Sequence, residues 1–491
     1  MATLTSPPQP QVPLADAPKP PRRSNVSWRK RWLTSGVLLV ILAVLILVPA
    51  ALVLLAAFSG SVPRPGNISF DLTLDNFSIF KAAQVQDAFL NSMVLAICAT
   101  VLACGIGASL AFLAARSDIP VPKFIYMIGL MPLFLPSYVG ALAWSILGSP
   151  NAGLLNIAQQ DLGTSVPLDI YSMPGMIFVF AMYYSPYTFL LVHGAMSLMS
   201  PDLEEAARVH GATSRGMLRL VSFPLALPAL IGSAILTFTL IFENFPVAQV
   251  LGTPGGIDTL PTAIFRLLNA TPSRGNESAA IAVVLVVIVV FVTWLQNRAL
   301  RKRSFTTVTG KGVRQKKVTL GRARIPVLLL ALVFFLLSIV LPIAALVVTA
   351  GQTSPYMTSL SQLTSAGGLD FSSFSDVLDS SSFREAAFNS AVVSVFAAVT
   401  GTVLAFVCGY VVYRSKASGR GLVETVSMVP LAIPAVVLGM GLLWTWLVMP
   451  IPLYGTLAVL VVAFIAVQSP QGFRESPPPS WPPTGTWRTV R

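Results

Sequence analysis

Ten apolar runs constrain this chain more than anything else in it. They fall at about 33–58, 90–115, 124–147, 174–198, 223–243, 279–297, 325–349, 389–413, 423–447 and 453–468. A helix needs about 20 apolar residues to cross a hydrocarbon core, and all but the last run reach or approach that length. Backbone N–H and C=O groups find no water in lipid, so such runs close their hydrogen bonds internally as helices. Only 10% of the 491 residues are charged and 54% are hydrophobic, whereas a soluble domain carries about 25% charged residues. The expectation is an all-α polytopic membrane protein with about ten transmembrane helices, the last one short.

The formal charge of +13 would suit nucleic acid if it formed a patch. Instead the basic residues lie in short loops beside apolar runs, as the positive-inside rule requires, so the expected partner is the bilayer and no nucleic acid. The inside group comprises the N-terminal tail with Arg29-Lys30-Arg31, the Arg116–Lys123 turn, the loop around Glu205, the Arg414–Arg420 loop, and the stretch from Arg298 to Arg324, which is rich in Lys and Arg and holds no acid. Residues 149–173 contain no Lys or Arg and belong outside. The N-terminus is therefore expected in the cytoplasm. Residues 1–31 read as a disordered polar tail. The run after it is too long for a signal-peptide core and lacks an obvious cleavage site, so it reads as an uncleaved span.

Chemistry-bearing residues are sparse. Cys98, Cys104 and Cys408 all lie in apolar runs, with neither disulfide nor metal-site spacing. His193 and His210 are too few for a metal cluster, and His193 reads as a packed residue. Gly310-Lys311 lacks the context of a phosphate-binding loop. A membrane enzyme would need convergent acids, His or Cys, and none occur at workable spacing. An ion-driven secondary transporter or channel would need paired intramembrane charges, and only Glu243 comes close.

The charged island from Ser200 to Gly232 is more specific. Ser200 suits an N-cap and Pro201 the first helical position. Asp202, Glu204 and Glu205 sit where the helix dipole favours negative charge. Gly211 can end that short helix, and Thr213 or Ser214 can cap a second one carrying Arg215 and Arg219 and running into Pro224. The spacing predicts a helix–turn–helix lying along the membrane surface.

Glu205-Ala206-Ala207, three residues, Gly211, nine residues, Val221 and then Phe223-Pro224 resembles the EAA loop of ABC-transporter permeases. The resemblance implies a type I ABC importer permease fold. It also implies a docking role for Glu204, Glu205, Ala206, Ala207, Gly211, Arg215 and Pro224, as a coupling helix seated on an ABC ATP-binding subunit, two copies of which serve such a transporter. ATP would then be bound and hydrolysed on that subunit and not on this chain. A periplasmic or lipid-anchored substrate-binding protein is the other implied partner, and the bacterial inner membrane the implied location.

A repeat crosses the chain at an offset of 298 residues. Asn91-Ser92 returns as Asn389-Ser390, Arg116-Ser117 as Arg414-Ser415, Pro132-Leu133 as Pro430-Leu431, and Pro136 as Pro434. This is expected to be a parallel repeat, each half starting in the cytoplasm. Pro132, Pro136, Pro430 and Pro434 would kink matched helices, which makes them pathway candidates along with Glu243, although simple tolerance of the prolines weighs equally. The expected domains are a tail (1–31), a first half (32–300) with its EAA loop at about 199–224, a basic connector (301–324), a second half (325–474) and a proline-rich tail (475–491). Two fused halves of this length, with Ile241-Phe242-Glu243-Asn244-Phe245, Leu251-Gly252-Thr253-Pro254-Gly255, Leu260-Pro261-Thr262 and Ile264-Phe265-Arg266-Leu267-Leu268, look like the iron(III)-type branch of these permeases. Relatives for polyamines, thiamine or phosphonates share that frame.

The family's plan of about twelve helices implies a second EAA loop, and none follows the tenth run. Glu385-Ala386-Ala387 lacks the required glycine and lies on the outer side, where it aligns with Asp87-Ala88. After Arg474 the prolines of ESPPPSWPPTGTWRTVR stop any helix. The expectation is a truncation or reading-frame shift near Arg474, the alternative being a variant with one coupling site.

Overall fold

The computed structural model describes residues 28–164, 166–199, 206–207, 209–211, 213–301, 317–352, 359–363, 369–415, 417–451 and 453–474. Residues 1–27 of the expected 1–31 tail, the expected 475–491 tail, most of the connector, and Glu204 and Glu205 lie outside these residues, while Trp28 to Arg31 open a helix instead of ending a disordered tail. The first half holds α1 (Trp28–Leu42), α2 (Val48–Ala57), α3 (Ala83–Arg116), α4 (Pro122–Phe134), α5 (Ser137–Gly148), α6 (Leu154–Asp161), α7 (Met173–Ser197), α8 (Ser214–Met217), α9 (Phe223–Phe242), α10 (Pro246–Leu251), α11 (Leu260–Leu268) and α12 (Gly275–Arg301). The second holds α13 (Arg324–Phe335), α14 (Leu341–Gly351), α15 (Ser372–Asp379), α16 (Ser381–Tyr413), α17 (Arg420–Met428), α18 (Ala435–Val448) and α19 (Leu457–Arg474).

Every expected apolar run is helical. Among the described residues seven helices are long and apolar enough to cross a membrane, and nine if two bent pairs each count as a span. The tenth, α19, is too short for that test. By length and composition the described residues thus hold up to nine of the about ten expected spans, the expected short last one falling below the limit. Two runs also differ in shape. In place of kinked helices, α4 and α5 meet at 92° and α17 and α18 at 113°. Pro136 and Pro434 open α5 and α18, both at φ −52° and with extended ψ. Each proline lacks an N–H and forces its predecessor out of the helical region. Pro132 stays inside α4, while Pro430 sits in a 3-10 turn, Val429–Ala432. At 13 residues, α4 is about 20 Å long, too short to cross alone.

Three π-turns complete the bookkeeping of backbone bonds. Ala43–Leu47, Leu218–Ser222 and Leu336–Val340 stand just before Pro49, Pro224 and Pro342. A proline removes one i→i−4 bond and crowds the carbonyl it would have used, and one wider turn relieves both. Pro49 and Pro342 occupy matching places in α2 and α14, so the repeat extends to the first helix of each half with a different offset.

Small residues hold the first half together. In lipid the hydrophobic effect does not favour one apolar neighbour over another, so close packing decides. The buried face of α3 runs Ser92, Ala96, Ala99, Thr100, Ala103, Gly107, Ala111. It meets α7 so closely that a Cβ on Gly107 would press on the Ser185 carbonyl and lie 2.9 Å from Phe189 N and Thr188 Cβ. α9 then covers both α3 and α7.

The halves exchange their first helices. α1 packs on α17, α2 packs on α18, and the Ser35 hydroxyl donates to the Ser418 carbonyl. Reciprocally, α14 packs on α5 and α13 on α4. The start of α13 is held by Val318 N donating to Arg116 O (2.7 Å), Asp118 N to Val318 O (3.0 Å), Leu320 N to Asp118 Oδ1 (2.9 Å) and an Arg324–Asp118 ion pair (2.5 Å). These contacts join loops that the charge pattern assigns to one side. On the opposite side Asn276 Nδ2 donates to Ser59 O (2.7 Å), Asn91 Nδ2 to Asp258 O (3.1 Å), and Ile170 N to Gly148 O (3.0 Å).

Candidate coupling loop and translocation path

The loop after α7 folds locally as its residues dictate. Ala206 and Ala207 are helical, and His210 N donates to Ala206 O at 3.1 Å. Gly211 then turns the chain at φ +83° with nothing near its missing Cβ, a conformation that costs other residues about 1–2 kcal/mol. Thr213 caps α8: its hydroxyl accepts from Gly216 N at 3.2 Å and its carbonyl from Met217 N at 2.8 Å. Met217 is fully buried, while Leu198, Val209 and Leu220 are 66, 83 and 73% exposed. An exposed apolar rim on a short turn between spans is a surface suited to a partner. Arg215 lies on α8 and Pro224 at the start of α9.

Arg116 was counted among the topology charges, yet it sits at the centre of this side. It is 3% exposed, its Nη2 donates to Met199 Sδ at 3.6 Å, and its carbonyl holds Val318. It thus touches both the entry to the coupling loop and the end of the connector. Its position as the last residue of a 34-residue apolar helix was the available signal, because a buried cation at the end of a span needs a reason.

At the other end of α9, Glu243 forms the helix's C-cap and is half-buried. The next residue carries the polar contacts. Asn244 Nδ2 donates to Tyr184 Oη at 2.6 Å, and Asn244 Oδ1 accepts from Val247 N at 3.0 Å. Tyr184 stacks between Phe180 and Tyr187, with centroids 5.8 Å away on each side. Its hydroxyl also reaches Ser137, the first residue after Pro136. One tyrosine therefore links the corner at Glu243 to the break at Pro136. Pro430 and Pro434 fall elsewhere, in the part of the second half that packs on α12 and α19. Asn244 and Tyr184 were missed because neither lies in a charge pattern. His193 packs against Tyr126 and Phe189 as expected. Glu385-Ala386-Ala387 lies inside α16 with no turn after it. Among the described residues no three His, Cys, Asp or Glu side chains converge.

Residues 104–305 match the family of binding-protein-dependent transport system inner membrane components. The chain is 28% identical over 231 residues to the trehalose transport system permease protein SugB of Mycobacterium tuberculosis, covering 46% of this chain and 78% of SugB. It is 27% identical over 268 residues to the putative 2-aminoethylphosphonate transport system permease protein PhnV of Salmonella paratyphi A, covering 54% of this chain and 92% of PhnV. About half of this chain thus corresponds to most of a relative. Among solved structures, a bacterial ABC transporter involved in alginate import aligns with TM-score 0.47 at 21% identity, over 56% of this chain and 98% of the matched one.

Proposed function

We propose that this chain lines the substrate path of an ABC importer and couples it, through residues 199–224, to a separate ATP-binding subunit that hydrolyses the ATP. Residues 32–300 and 325–474 act as the two halves of the path, and the N-terminus lies in the cytoplasm. The permease makes and breaks no covalent bond. A substrate-binding protein delivers the solute, ATP closes the ATPase pair, the coupling turn moves, and the spans open to the other side. The observation that carries this reading is the turn at Gly211. Its left-handed glycine stands at the spacing from Glu205 and from Phe223-Pro224 that the EAA pattern requires. Movement of that turn reaches α9 directly, and α9 ends at the Glu243–Asn244 corner bonded to Tyr184.

Iron(III) is the cargo that the two-half frame and the motifs around Glu243 favour. The longer match to a 2-aminoethylphosphonate permease supports a phosphonate as the second reading. The first is a hard cation and the second an anion, and a binding protein, rather than this chain, would select between them.

The test is capture of the cognate ATP-binding subunit by the wild-type chain and by a Glu205→Lys/Gly211→Asp variant. Wild-type capture with at least a tenfold loss in the variant is expected. Equal capture by both would remove the coupling role from this loop. Uptake of labelled iron(III) against labelled 2-aminoethylphosphonate in vesicles carrying the assembled transporter then separates the two cargoes.

A further inference from the structure

α12 has two opposed faces. Ser278, Ile281, Ala282, Leu285 and Val289 recur at helical spacing and are all buried, and α12 packs on α2, α9 and α11. Val287, Val290, Phe291 and Trp294 recur at the same spacing on the other side and are 60, 45, 56 and 51% exposed. Arg298, one turn further on, is exposed on that side and stands at the end of the span.

Hydrocarbon alone accounts for an exposed apolar stripe, but not for the arrangement at its end. The Phe291 and Trp294 rings stack with centroids 6.0 Å apart and planes at 23°. The Arg298 guanidinium lies over the Trp294 ring, its Cζ 5.5 Å from the centroid. A guanidinium laid on an aromatic face uses none of its N–H groups in that contact. Its donors stay at its edge, in the fork that matches phosphate oxygens. No carboxylate pairs with Arg298 among the described residues. The sequence holds no Asp or Glu from Ser278 to Leu369, and it adds Arg301 within one turn of Arg298. The positive charge at the end of the stripe is therefore not balanced by its own segment.

We infer that this face of α12 binds an anionic phospholipid. Arg298 donates to the headgroup phosphate, Trp294 lies at the level of the glycerol, and the acyl chains run along Phe291, Val290 and Val287. A zwitterionic lipid fits the stripe equally well but brings a second cation to a place that is already positive, so the anionic headgroup is preferred. The bound lipid touches the transport machinery through Gln296, whose Nε2 donates to the Gly232 carbonyl of α9 at 3.4 Å, and α9 is the span that follows the coupling loop. That last link rests on the coupling role proposed above, whereas the lipid site itself does not.

The test uses the full chain in nanodiscs of phosphatidylcholine with one fifth phosphatidylglycerol. Bromine is carried on the acyl chains of the phosphatidylglycerol or of an equal amount of the phosphatidylcholine. Bromine quenches tryptophan fluorescence on contact, and subtracting the signal of a Trp294→Phe chain isolates Trp294. Quenching by brominated phosphatidylglycerol is expected to exceed that by brominated phosphatidylcholine at least threefold. Arg298→Gln should remove the excess. Arg219→Gln, which takes an exposed charge from another place, should leave it intact. Free glycerol phosphate should not compete. Equal quenching by the two lipids, an excess that survives Arg298→Gln, a matching loss in Arg219→Gln, or competition by glycerol phosphate would each overturn the inference. Trp294 and Arg298 are both exposed, so neither variant disturbs the core, and elution volume checks that each chain is folded. Both leaflets of the nanodisc hold the same lipids, so the result does not depend on which end of α12 is cytoplasmic. Capture of the ATP-binding subunit is read separately, so failure here leaves the coupling loop to its own test.

Discussion

Asp118 is exposed enough to be passed over, yet it holds the second half to the first. The Leu320 N–H, and then the Arg324 guanidinium, keep its carboxyl below the usual carboxylate range. A depressed native value means that ionisation favours the folded clasp. The contribution is complete at neutral pH, starts to fall below about pH 4, and is lost as pH drops through the lowered native value. Asp118→Asn should mimic the acid form at neutral pH. The expected outcome is roughly tenfold faster exchange of the Leu320 amide, measured by hydrogen exchange, with residues 173–197 unaffected. Equal exchange in both proteins would show that the backbone bridge through Val318 suffices. The aspartate itself was visible in sequence only as one charge in a basic loop, because its partners lie about 200 residues away.

At the scale of elements, the contact of α3 with α7 turns on one missing methyl group. Gly107→Val would drive two methyl groups into backbone atoms of α7, and overpacking of this kind costs about 1–3 kcal/mol or more. Gly105 faces open space, so Gly105→Ala should change stability by less than about 0.5 kcal/mol. Thermal unfolding in detergent, read at the tryptophans, separates the two. The sequence made the spans, the glycine turn at 211 and the proline breaks legible, because each follows from local chemistry: apolar run length, a left-handed turn, a missing N–H. It did not reveal that Pro136 and Pro434 break their helices instead of kinking them, since the angle depends on what packs on each side. The π-turns before Pro49 and Pro342 were hidden for the same reason. Of the candidate path, Glu243 and Pro136 were legible, but Tyr184, which joins them, was not, because aromatic residues are common in spans and carry no periodic signal.

At the scale of the whole molecule, the exchange of first helices makes the two halves mutually dependent. Gly441 in α18 packs on the Pro49 backbone with no room for a side chain, and Leu38, Leu42 and Ile46 share a core with Cys408, Val423 and Trp446. An engineered protease site in the connector, between residues 302 and 316, should therefore leave the cut halves together. Co-elution of both fragments in mild detergent is expected, and their separation would show that the swapped contacts are too weak to hold. The offset of 298 could not announce this arrangement, because a repeat records which segments are alike and not which ones touch.

The same exchange bears on how the protein is made. α1 finds its permanent neighbours, Val423 and Trp446, only after the second half has been synthesised. Until then the face it will bury is open to lipid, although α2, the other part of the same span, can already settle on α12. A stalled or slowed ribosome would lengthen the interval in which the α1 face is free to meet the wrong partner.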